Sequence, residues 1–162
     1  MAFCLYSQAG LAASWLYASM NLVSILQKAR TGVMIENETR KLMKILHLTP
    51  DDIYHVFCLA LCLTCVDGQM SDKEGETLTR LGFGLGLGPE DISALADNAQ
   101  DAIRDTSVSD VIAFSLANLK AKLQPDQLRG VKQILRHLAA ADRTVHPEEK
   151  ALLELINEIW QE

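Results

Sequence analysis

Charge is missing from Met1 to Gln27 of this chain; Lys28 and Arg30 are the first charged side chains. A secretory signal carries basic residues ahead of its apolar stretch, so the gap argues against one. A membrane span needs about 20 mostly apolar residues, and Ser7, Gln8, Ser14, Ser19, Asn21, Ser24 and Gln27 interrupt this stretch. Sustained period-two alternation is also missing and β-branched residues are thinly spread, which excludes a sheet-based fold. Lys and Arg (15) are outnumbered by Asp and Glu (21) and nowhere cluster, giving a net charge of −6. Phosphate backbones are held by clustered basic residues, so nucleic acid is excluded as a partner. Four cysteines are too few to staple a chain of 162 residues. Three of them share one helical stretch, which points to reduced thiols and a cytoplasmic address. No Ser-His-Asp set, zinc-protease helix or nucleophile motif is evident, so the expectation is a protein that is not an enzyme.

What is present reads as helix throughout. In the uncharged segment Cys4, Leu11, Trp15, Ala18, Leu22, Ile25 and Ala29 recur at spacings of three, four or seven, while Leu5, Tyr6, Leu16, Tyr17, Met20 and Val23 lie off that stripe. A helix apolar on more than one face is buried on more than one side. Residues 1–30 are therefore expected to form a helix packed on the domain or against a second copy, with membrane contact or partner docking as the alternative. Thr31-Gly32 breaks the chain, and Val33 to His47 forms the next helix. Thr49-Pro50-Asp51-Asp52 starts another, with a hydroxyl N-cap, proline at the first helical position and acids facing the dipole. It should run to about Val66. Ser71 and Glu74 form a Ser-x-x-Glu capping box for the following helix.

That helix is expected to fray in Leu81-Gly82-Phe83-Gly84-Leu85-Gly86-Leu87-Gly88. Phosphate-binding glycine loops follow a strand and open a helix; these follow a helix, so the reading is a flexible helix end. Pro89-Glu90-Asp91 opens a helix to about Arg104, Ser107 or Ser109 caps one to about Leu123, Pro125 opens one ending near Ala141, and His146-Pro147 opens the last. The expectation is an all-α, compact bundle of seven to eight helices in a single domain.

One short pattern occurs twice: Asp67-Gly68-Gln69-Met70-Ser71-Asp72-Lys73-Glu74 and Asp142-Arg143-Thr144-Val145-His146-Pro147-Glu148-Glu149. The acids match at a constant offset, 142 − 67 = 75 and 149 − 74 = 75. Both copies follow an apolar, small-residue segment and open an amphipathic one, so two pseudo-repeated helix-loop-helix units are expected. The acids can serve as caps, worth about 0.5–2 kcal/mol each. Carboxylates and loop carbonyls are also the oxygen ligands that hard divalent cations prefer. The EF-hand pattern is absent, because its Glu at position twelve would fall on Leu78. A single loop of this type should bind weakly. Bringing both loops together would join Asp67, Glu74, Asp142 and Glu149 in one acidic cluster.

At these residues the chain resembles a family. Val66-Asp67-Gly68 with Ser71-Asp72-Lys73-Glu74, and Ala141-Asp142 with Pro147-Glu148-Glu149-Lys150, are similar to the TerB-like domain of bacterial tellurite-resistance systems and to the N-terminal region of the DjlA co-chaperones. The resemblance covers about Thr31 to the C-terminus, so residues 31–162 would be the TerB-like domain. It implies a helical bundle without enzymatic activity, acting in stress or toxic-anion resistance through protein partners, or self-association, near the membrane. It also implies an acidic surface holding a divalent cation (Ca, Mg, Mn or Zn), carried over to Asp67, Glu74, Asp142 and Glu149. The chain departs from the pattern at Arg143, where the motif has Gly and where a guanidinium can neutralise Asp142. A rival reading is a purely structural interaction module whose acids only cap helices.

His55, Cys58, Cys62 and Cys65 lie on one arc of a helix, but His55 and Cys65 are about 15 Å apart along it, far beyond a shared zinc ion with bonds of about 2.3 Å. Core packing is the expected role for the thiols. A thiol-redox site would instead require an accessible thiol of low pKa. His146 stands beside Asp142 and Glu149, either as a nitrogen ligand or as a solvent-facing helix start. His47 and His137 have no acidic or thiol neighbour at useful spacing.

Overall fold

A computed structural model of the chain describes residues 46–65, 71–140 and 144–161. The uncharged segment, most of the helix expected over 33–47, Asp67, Asp142 and Arg143 therefore lie outside the described residues. Within them are six helices and no strand: α1 (Pro50–Thr64), α2 (Asp72–Gly84), α3 (Pro89–Asp105), α4 (Val108–Lys122), α5 (Pro125–Ala139) and α6 (Pro147–Ile159).

The centre of the bundle is α1. Beyond its first turn it carries no acid or base except His55, and every residue from His55 to Cys65 is buried. A helix that is apolar all round must be covered on all sides, and α1 packs against each of the other five helices, most broadly against α4. Its start is fixed by local chemistry. Thr49 Oγ1 accepts from Asp52 N at 3.2 Å, and Thr49 N donates to Asp52 Oδ2 at 2.9 Å, closing a capping box with Pro50 in the first turn.

The other helices settle on this axis. Trp160, fully buried just past α6, donates from Nε1 to the Leu116 carbonyl of α4 at 3.0 Å. Lys132 of α5 donates to the Trp160 carbonyl at 3.0 Å and Lys120 of α4 donates to that of Ile159. Two ammonium groups thus meet the negative end of the α6 dipole. Helix bounds recur at the offset of the duplicated motif: α5 against α1 (125 − 50 = 75, 139 − 64 = 75) and α6 against α2 (147 − 72 = 75, 159 − 84 = 75). The packing is crosswise as well as sequential, since α2 lies on α5 and α6 lies on α1.

The glycine-rich segment is ordered, which corrects the expectation of a flexible helix end. Gly86 takes φ +83, its N–H donates to the Phe83 carbonyl at 3.0 Å, and Leu87 N donates to the Gly82 carbonyl at 3.0 Å. This pair of bonds around a left-handed glycine is the Schellman cap, which satisfies carbonyls that a helix end otherwise leaves open. Gly82 serves close packing instead, for a Cβ there would come within 2.5 Å of Ile92 Cδ1 on α3.

Gly86→Ala isolates the backbone effect, because a Cβ at that position meets nothing within 4 Å. Left-handed backbone costs an L-residue about 1–2 kcal/mol, so urea unfolding should show a loss of that size with an unchanged m-value. Wild-type stability in the variant would mean that the cap does not hold the α2–α3 connection.

Candidate functional site

Two helix starts carry the chemistry that the duplicated motif suggests. At the head of α2, Ser71 Oγ accepts from Glu74 N at 3.2 Å and Ser71 N donates to Glu74 Oε2 at 2.7 Å. At the head of α6, His146 N donates to Glu149 Oε2 at 2.7 Å. Each glutamate thus spends one oxygen on its own N-cap amide. The rest of each carboxyl group is not turned to water: Glu74 is 5% exposed and Glu149 is 2% exposed. They lie against each other, close enough for a protonated Glu149 to hydrogen-bond Glu74.

Two carboxylates cannot share a buried site without consequence. Burial pushes Glu149 up first, the charge and hydrogen bond of Glu74 push it further, and the His146 amide and ring charge oppose; the result is a pKa raised to about 7. A carboxyl group raised that far takes up a proton near neutral pH, which relieves its repulsion with Glu74. The positive ends of two helix dipoles meet at the pair, which favours the remaining negative charge. Chemically the arrangement offers two carboxylate groups at one point, in a setting where a bound cation or a shared proton each relieves the repulsion.

Of the four acids that the resemblance carries over, the structure brings Glu74 and Glu149 together, while Asp67 and Asp142 are outside the described residues. No group of three or more His, Cys, Asp or Glu side chains with metal-binding geometry occurs among the described residues. His146 is the N-cap of α6, and its charge acts on Glu149. The thiols are packing groups. Cys58, Cys62 and Cys65 are buried, burial raises Cys58 to about 11, and Cys62 is raised well above the ordinary thiol range by the same cause. Cys62 and Cys65 do have the Cys-x-x-Cys spacing, but a thiol that stays protonated is neither a ligand nor a nucleophile.

One grouping is only partly signalled in the sequence: Asp51, His55 and Ser115 come together across α1 and α4, although His55 and Ser115 are far apart along the chain. Ser115 is buried, so this is not a nucleophile set facing substrate. No described helix is long and apolar enough to cross a membrane.

In chelated solution the acid pair has a definite pH signature. Glu149 binds its proton more tightly folded than unfolded, so its contribution is complete below pH 4.5 and is lost as pH rises through about 7. Glu149→Gln should remove that slope and melt higher than wild type at pH 8, since an amide keeps the His146 contact and always offers Glu74 a donor. An unchanged slope in thermal unfolding would show that Glu149 is not the group that takes up the proton.

A family model described as Tellurite resistance protein TerB matches residues 54–161, a span that holds the acid pair, both caps and all six helices apart from the first turn of α1. Comparison with curated proteins and with solved structures finds no match. With the matched span covering about two thirds of its length, the chain belongs to the TerB family of tellurite resistance proteins.

Proposed function

We propose that this chain is a non-enzymatic, tellurite-resistance-type stress-response module that takes up a divalent cation at the meeting point of its two acidic loops and acts through protein partners. The observation that carries the reading is the contact between Glu74 and Glu149. Helix capping requires one oxygen from each residue and is complete within each helix. It does not require that two buried carboxyl groups be placed against each other, at a desolvation cost that carboxylates ordinarily avoid. A cation between them would turn repulsion into attraction. Asp67 and Asp142, which follow α1 and α5 in the sequence, are the further ligands in this proposal.

The two units are read as copies of one helix-loop-helix. Support comes from the common offset in four helix bounds and from the crosswise packing of α2 on α5 and α6 on α1. Copies related in this way would present equivalent acids from opposite sides. Oxygen ligands of this type suit Ca²⁺, Mg²⁺ or Mn²⁺ better than Zn²⁺, and few carboxylates imply weak binding. The rival reading, a purely structural interaction module, is favoured by one observation: both glutamates accept from their own N-cap amides, and Glu74 completes a capping box with Ser71.

A thermal-shift series on chelator-treated protein at pH 7.5 decides between them, with Ca²⁺, Mg²⁺, Mn²⁺ and Zn²⁺ beside Glu74→Gln, Glu149→Gln, Asp67→Asn and Asp142→Asn. Ligand at one hundred times Kd stabilises by about 2.7 kcal/mol, roughly 5–11 °C for a domain of this size. The cation reading predicts a shift of that scale in wild type that is lost in the Gln variants. No shift with any ion would leave the acids as caps and direct the search to a protein partner alone.

A further inference from the structure

Away from the acid pair, the α1–α4 interface encloses a histidine that neither capping nor cation binding uses. His55 is 3% exposed. Its Nδ1 lies 3.2 Å from Oγ of Ser115, which is buried on α4. Its Nε2 lies 3.9 Å from Asp51 Oδ1, one turn back on α1, and the other Asp51 oxygen is held by Lys122 at the end of α4. The rings of Tyr54 and Phe114 approach it edge-on, with centroids 5.2 and 5.5 Å away. Phe114 is 64% exposed, the largest exposed apolar side chain among the described residues. A ring that is not itself part of the core thus packs against the buried imidazole.

We propose that His55 is a proton-operated latch on the α1–α4 interface, closed while the imidazole is neutral and released when it takes up a proton.

A neutral imidazole suits the closed interface. A serine hydroxyl can either donate or accept, so Ser115 satisfies Nδ1 in either tautomer. An imidazolium does not suit it. The charges that face His55 are Asp51 and Asp52 from its own helix, which favour the cation, and Lys122 from α4, which opposes it. Burial is the largest influence, and it lowers the pKa of His55 below its ordinary 6.5. The nearer acid, Asp51, is already neutralised by Lys122 and stands outside hydrogen-bond reach at 3.9 Å. A proton is therefore accepted more readily when the imidazole has moved past Phe114 into water. That movement removes the buried polar tie between α1 and α4 and leaves the exposed Asp51–Lys122 pair as a polar contact between them. Release would uncover the seam behind it, where Ile112, Leu116 and Leu119 of α4 are buried.

The sign is opposite to that of the acid pair. A lowered histidine pKa gives stability that is complete above about pH 6.5 and falls away as pH drops, whereas Glu149 favours the folded state as pH drops. The two devices can therefore be separated in one protein.

Amide hydrogen exchange of the full chain, read as protection factors between pH 7.5 and 5, tests the latch beside an NMR titration of the His55 ring. His55→Gln supplies a side chain that can bond Ser115 but does not titrate. The latch predicts that wild-type α4 loses protection below pH 6.5 by up to about tenfold per unit, the limit for one proton, and that His55→Gln shows no such slope. It also predicts a native His55 that titrates below its ordinary value, a reading that needs no variant. A native His55 titrating at or above 6.5, or an equal α4 slope in His55→Gln, would overturn the proposal.

Discussion

The enclosure of α1 governs this structure. Every residue from His55 to Cys65 is buried, and a helix so apolar persists in water only when neighbours cover its whole circumference. The other five helices do so. Apolar burial contributes about 25 cal/mol per Å², and α1 is the helix against which all five others pack, α2 and α6 included. The meeting of Glu74 and Glu149 follows from that geometry. So does the cost of carrying any polar group into the α1 contacts, which is why His55 and its serine partner stand out.

Polar chemistry inside such a bundle is acceptable where every group has a partner. The two glutamates each use one oxygen for a backbone amide, and the raised pKa of Glu149 eases the repulsion between them near neutral pH. The cap fixes each carboxyl group, and the fold then brings the two fixed groups together; the proposed cation would be a second use of the same residues. A glutamate free on the surface would cap equally well but would offer no site.

How much of this is legible in the sequence depends on the range of each interaction. Thr49-Pro50-Asp51-Asp52 and Ser71-x-x-Glu74 declare helix starts because the chemistry closes within one turn, and Ser107, Pro125 and Pro147 mark theirs for the same reason. The glycine run misleads. Its composition suggests looseness, whereas the outcome depends on whether the N–H groups of Gly86 and Leu87 reach the carbonyls of Phe83 and Gly82. The repeated acids mark a place but not a geometry, since the contact of Glu74 with Glu149 depends on crosswise packing between units that are distant in sequence. In the grouping of Asp51, His55 and Ser115 only the i,i+4 spacing of the first two is local; Ser115 lies on α4, so its part has no local signal. Membership of the TerB family is carried by the span 54–161, and the uncharged segment 1–27 lies outside it.

The central claim is that a divalent cation sits between Glu74 and Glu149, and the most direct test is to see it there. Crystals grown or soaked with Mn²⁺ near neutral pH, with data collected for anomalous scattering, would locate the ion without reference to stability or activity. The account predicts an anomalous peak within bonding distance, about 2–2.6 Å, of carboxylate oxygens from both glutamates. A saturating soak that leaves the two carboxyl groups in direct contact, or places manganese elsewhere, would contradict it.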